Sequence, residues 1–132
     1  MVSTRVMPQR GLSPVRERLA NGLTLLVKDV RTQPAVSISA TVAVGSAEDP
    51  AGQEGTAHLL SRLLDRGAGR QSADDIADLL DLRGVSPVIG VTRHATTVTC
   101  DCLAEDVEAV LGLVCDMVRS PTCLDDEVLV RR

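Results

Sequence analysis

From Val36 to Val44 every second residue is apolar: Val36, Ile38, Ala40, Val42 and Val44, with Ser37, Ser39 and Thr41 between them. A two-residue period marks a strand with one buried face. Upstream, "RERLANGLTLLVKDV" places Asn21-Gly22 between two extended segments, which predicts a β-hairpin turning through type I′ geometry. Thr32-Gln33-Pro34 breaks the chain before the strand, and "GSAEDPAGQEG" after it reads as a loop.

The period then changes to that of a helix. Leu59, Leu60, Leu63 and Leu64 form an apolar stripe, predicting a helix from about Thr56 to Arg66 that Gly67 and Gly69 can end. Ser72 caps a second helix, "SADDIADLLDLRG", with Asp75 in capping-box position, Asp74 and Asp75 suiting its positive end, and Gly84 as its stop. Ile76, Leu79 and Leu80 face inward on it. "SPVIGVTRHATTVTCDCL" is one long strand or a hairpin, with Val98, Cys100 and Cys102 on one face and Thr97, Thr99 and Asp101 on the other. A third helix covers "AEDVEAVLGLVCDMVRSP", where Val107, Val110, Leu111, Val114 and Val118 have helical spacing and Pro121 lies just past the end. "LDDEVLVRR" starts a further helix without a C-cap, so the sequence is expected to be cut from something longer.

The order is β, β, α, α, β (one strand or two), α, then a started helix. This predicts an α+β fold in which a mixed or antiparallel sheet is covered by helices on one face. Residues 1–15, with Pro8, Gly11 and Pro14, are expected to be a flexible leader, and 16–132 one domain, truncated at its C-terminal end.

Composition narrows the function. The chain is 44% hydrophobic and carries a net charge of −4, so nucleic acid is not an expected partner. It contains no Phe, Tyr or Trp, which removes the platforms that stack single-stranded bases. The first 20 residues lack a long apolar run, and no span suits a membrane, so a cytoplasmic location is expected. Cys100, Cys102, Cys115 and Cys123 form no Cys-x-x-Cys pair and read as small buried hydrophobes in a reducing compartment.

Taken in order, "LANGLTLLVKD", "AVSISATVAVGSAEDPAGQEGTAHLL", "RQSADDIADLLDLRG" and "AEDVEAVLGLVCDMVRSPTCLDDEVLVRR" resemble the N-terminal domain of the pitrilysin/insulinase peptidases, the inverted-motif zinc peptidases that include the mitochondrial processing peptidase. The resemblance covers roughly residues 16–132 and implies an α+β sandwich domain, several of which form a clam-shell around a peptide in complete members. Catalysis in that family depends on His-x-x-Glu-His on a helix. Positions i and i+4 share a helix face, so two imidazoles hold one zinc, and the carboxylate at i+3 takes a proton from the bound water.

Here the motif reads His58-Leu59-Leu60-Ser61-Arg62. By the resemblance, His58 is a vestigial first ligand, Ser61 occupies the general-base position and Arg62 the second-ligand position. The third ligand, a glutamate, would fall beyond Arg132. A hydroxyl is a poor base, and a guanidinium repels zinc. No catalytic residue, no bound metal and no cofactor are therefore expected, although zinc serves the active members. The family often carries an Asn-Ala pair on the strand that pairs with substrate; "GVSPVIGVTRH" lacks it, and Pro87 removes one backbone donor.

Each residue also has a plain reading. His58 can be a partly exposed histidine in a first helical turn, and Arg62 either fills the vacated metal position or pairs with Asp65 at i+3. His94 reads as a loop or strand-surface residue rather than a partner of His58. Glu48, Asp49 and Glu54 read as a solvated loop, since they lack a calcium-loop pattern. The expected function is a non-catalytic pseudo-peptidase or partner subunit that binds peptide, a catalytic homologue or the remaining peptidase domains. The alternatives are an inactive fragment of a longer peptidase and an active zinc metalloendopeptidase.

Overall fold

The computed structural model describes residues 13–125 and 128–129. It divides into two compact units that meet between Gln33 and Pro34.

The first unit holds the expected hairpin. Strand β1 (Val15–Arg18) pairs antiparallel with β2 (Thr24–Val27), and Arg18 stands opposite Thr24. The turn is not type I′. That geometry needs positive φ at both central residues, and Gly22 alone has it, at 89°. The Leu19 amide donates to the Leu23 carbonyl and the Gly22 amide to the Leu19 carbonyl, leaving a three-residue loop. The Asn21 side chain turns inward instead, its Oδ1 accepting from the Leu23 amide at 3.1 Å.

In the second unit, β3 (Ala35–Val42), β6 (Val88–Val91) and β7 (Thr96–Leu103) form an antiparallel sheet in the order β3-β7-β6. "SPVIGVTRHATTVTCDCL" is thus a hairpin, with Val91 opposite Thr96. Val98, Cys100 and Cys102 are buried on the inner face, and Ser37 and Asp101 hydrogen-bond on the outer one. Helix α1 (Thr56–Ser61) follows β3. Next come β4 (Gly67–Ala68), β5 (Gln71–Ser72), α2 (Ala73–Arg83) and, after the sheet hairpin, α3 (Val107–Arg119). Ile76 and Leu80 of α2, and Val110, Leu113, Val114 and Met117 of α3, close over the buried face of β7. The fold is α+β, with an antiparallel sheet covered by helices.

Four expectations change. Three strands precede α1, because the hairpin contributes two. Helix α1 ends at Ser61, well before Arg66; the next turns close through shorter i→i+3 bonds, Leu63 amide to Leu60 carbonyl and Arg66 amide to Leu63 carbonyl. Gly67 and Gly69 do not simply end that helix: they bracket β4, which pairs with β5 and is tied to the chain beyond α3 through Gly69 amide to Ser120 carbonyl and Thr122 amide to Gly67 carbonyl. On α3, Leu111 and Val118 are exposed, whereas Leu113 and Met117 are buried. Val110 and Val114 belong to two overlapping apolar stripes, and packing selects the one that places the Met117 thioether in the core.

Cys100 and Cys102 are buried as expected, Cys123 is half-buried, and Cys115 lies on the exposed side of α3. The leader lies almost wholly outside the described residues, with β1 starting at Val15. Of the helix expected over "LDDEVLVRR", Asp125, Val128 and Leu129 are helical, and residues 126–127 and 130–132 lie outside the described residues. Among the described residues, no helix is long and apolar enough to cross a membrane.

Candidate functional site

Helix α1 carries the candidate residues, and its start is built by the loop before it. Gly55, the N-cap, has φ of 96° and no side chain with which to cap. Asp49 supplies the cap from six residues upstream: its Oδ2 accepts from the Gly55 amide and its Oδ1 from the Ala57 amide, both at 2.8 Å. The Thr56 hydroxyl adds a 2.6 Å bond to the Gln53 carbonyl. Asp49 is thus the residue that positions the site, and sequence reasoning took it for a solvated loop acid. Glu54 does belong to the exposed loop, where its own backbone N–H and that of Gly52 hold its carboxyl below the usual range.

The loop itself is anchored to the β6–β7 turn. The Ser46 amide donates to the Thr92 carbonyl and the Ala47 amide to the Arg93 carbonyl. Gly45 is buried there, and a Cβ on it would stand 2.3 Å from the Thr92 carbonyl oxygen. A glycine followed by an acidic turn was the only sequence signal for this contact.

His58, Ser61, Arg62 and Asp65 line one open groove of about 320 Å³ together with Pro87 and Ile89 from the start of β6. His58 and Arg62 also line a neighbouring groove of about 570 Å³ that runs over residues 52–56 and Leu59. His58 and Arg62 are exposed, whereas Ser61 retains only 7% of its accessible surface. The Ser61 hydroxyl donates to the His58 carbonyl at 2.7 Å. In a continuing α-helix that carbonyl also accepts the Arg62 amide; here the amide turns to the Leu59 carbonyl, and the helix ends.

The expected alternative partner of Arg62 is taken. Asp65 approaches Arg66 at 3.3 Å, and Arg62 has no ion pair among the described residues. His94 sits exposed in the β6–β7 turn and lines neither groove. Burial pushes the Cys100 and Cys102 thiols up, with the charge of the other thiol adding for Cys100 and that of Asp106 for Cys102. Neither is suited to nucleophilic work.

As a zinc site this set does not fit. It offers one imidazole, one hydroxyl already committed to a carbonyl and one permanent cation. Among the described residues, no group of three or more His, Cys, Asp or Glu could hold a metal ion.

The fold and the site together define an α+β domain whose single-histidine helix lies beside the sheet strand β6. The family model described as Insulinase (Peptidase family M16) matches residues 24–132, and the chain belongs to that family. A zinc protease of Mycobacterium tuberculosis is 30% identical over 125 residues, 95% of this chain and 28% of its own length. A zinc protease of Rickettsia bellii is 30% identical over 112 residues, 84% of this chain and 27% of its own length. The chain thus spans little more than a quarter of these relatives. Among solved structures, a protease from Helicobacter pylori superposes with a TM-score of 0.81 at 19% identity, over 91% of this chain and 29% of its own. Pitrilysin superposes at 0.77 and 24% identity, over 89% of this chain and 13% of its own.

Proposed function

We propose that the chain is a non-catalytic member of the insulinase family, which binds a peptide or docks against a catalytic homologue or further peptidase domains without holding zinc. One observation carries this reading: Arg62 brings a fixed positive charge into the groove beside His58, at the position where a second imidazole would bind metal in an active member. Ser61 supports it, because its hydroxyl is a poor base, nearly buried and bonded to a backbone carbonyl. The four cysteines, all free, suit a reducing cytoplasmic setting.

The test is metal analysis of the purified full chain, paired with fluorogenic peptides in the presence and absence of a chelator. The expected outcome is substoichiometric zinc and no chelator-sensitive cleavage. Stoichiometric zinc with chelator-sensitive cleavage overturns the reading in favour of an active metallopeptidase. The double substitution Ser61→Glu with Arg62→His rebuilds the spacing of the family motif; a gain of zinc binding in this variant, absent in the parent chain, would support the reading that Ser61 and Arg62 keep the metal out.

A further inference from the structure

The groove beside α1 has a charge that the loss of zinc alone does not account for. Arg62 is exposed, points no charge at an acid among the described residues, and lies beside the imidazole of His58. The two acids nearest in the linings each make another contact, and neither forms an ion pair with Arg62. Asp65 is paired with Arg66, and Glu54, in the adjoining groove, accepts from the Gly52 amide. Pro87 and Ile89 form an apolar wall on the other side, against which the non-polar part of a bound peptide can rest. The result is a planar donor fork and a ring donor facing one open groove with no acceptor assigned to them.

We propose that this groove receives a carboxylate of a bound peptide, held by the Arg62 guanidinium with His58 as second donor. The inference rests on the peptide-binding reading above and names the chemistry it selects. Guanidinium and carboxylate match in a bidentate geometry that an ammonium does not reproduce. The carboxylate comes from the peptide C-terminus or from an Asp or Glu side chain, and the experiment separates the two.

The probes are fluorescein-labelled random octapeptide pools, read by anisotropy against the full chain. One pair of pools differs only in a C-terminal acid or amide; a second, amide-ended pair carries Glu or Gln at a fixed internal position. Charge-assisted bonds of this kind correspond to roughly tenfold or more in affinity. The acid pool should bind about tenfold more tightly than the amide pool if the terminus is recognised, and the Glu pool more tightly than the Gln pool if a side chain is. In either case Arg62→Gln should abolish the preference and Arg62→Lys should keep only part of it. Arg62 is exposed, so both variants should retain the parent melting temperature, which is measured alongside. Equal binding of all pools, unaltered by Arg62→Gln, overturns the carboxylate inference and leaves peptide binding standing. Binding of no pool overturns both the inference and the peptide-binding reading, and leaves docking to a catalytic homologue.

Discussion

Helices α1 and α2 follow each other within thirty residues and are built in opposite ways. Helix α2 carries its own ends. The Ser72 hydroxyl accepts from the Asp75 amide, the Asp75 carboxylate accepts from the Ser72 amide, and Gly84 closes the far end in the left-handed conformation at φ 62°. Helix α1 borrows its start. A carboxylate from the preceding loop caps it, while at the other end the Ser61 hydroxyl bonds the His58 carbonyl and the Arg62 amide goes to the Leu59 carbonyl. The lesson concerns the residues that follow His58: the Ser61 hydroxyl bonds a carbonyl of the last turn, and Arg62 stands at the exposed end of α1 as its C-cap.

The contrast can be broken most strongly from outside α1. Gly45→Ala forces a Cβ against backbone atoms of Thr92, Arg93 and Ala95, none of which can swing away. We expect roughly 3 kcal/mol of destabilisation by denaturant titration. Amide exchange should accelerate at residues 55–61 while residues 76–83 keep most of their protection. Loss concentrated in α2 would mean that the loop does not carry α1. Asp49→Ala comes next, at about 2 kcal/mol, since it strips two charge-assisted bonds from the first turn of α1. Its exchange signature should again be confined to α1, and a cost below about 0.5 kcal/mol would show that water replaces the cap.

Ser72→Ala probes the self-contained helix and should cost about 1 kcal/mol, with the effect local to α2. Its pH dependence sharpens the point. The Ser72 hydroxyl and then its backbone amide hold the Asp75 carboxyl below its usual value. A depressed folded value means that this contribution is complete above the unfolded value of roughly 4 and fades as pH falls through the lower folded one. The Ser72→Ala variant should therefore differ most from the parent near neutral pH and least in strong acid. The smallest effect is expected from Ser61→Ala, within about 0.5 kcal/mol, because the freed His58 carbonyl can accept the Arg62 amide instead. A rise in helical signal with little change in stability would support that exchange of partners, and a loss above about 1 kcal/mol would argue against it.

How much was legible follows from the range of each interaction. The capping box, the Gly84 stop and the alternation in β7 all lie within a few residues of what they control and appear as read; the alternation of β3 holds to Val42, while Val44, expected on the same buried face, lies past the strand and is exposed. The Asn21-Gly22 signal located the hairpin but not its turn type: the loop closes over three residues, with positive φ at Gly22 alone and the Asn21 side chain accepting from the Leu23 amide. On α3 two apolar stripes were equally periodic, and only the shape of the core separated Met117 from Val118.

The sequence by itself determined the α+β class, through residue type and short-range periodicity, and the family, through the order of its segments. The tertiary structure alone decided that Asp49 caps α1 and that β4 joins the far end of α3. It also decided that Asp65 turns to Arg66 and leaves Arg62 facing the groove. The physical reason is the same in each case. Several partners were within reach along the chain, and the choice among them was made by whichever groups folding brought into hydrogen-bonding distance.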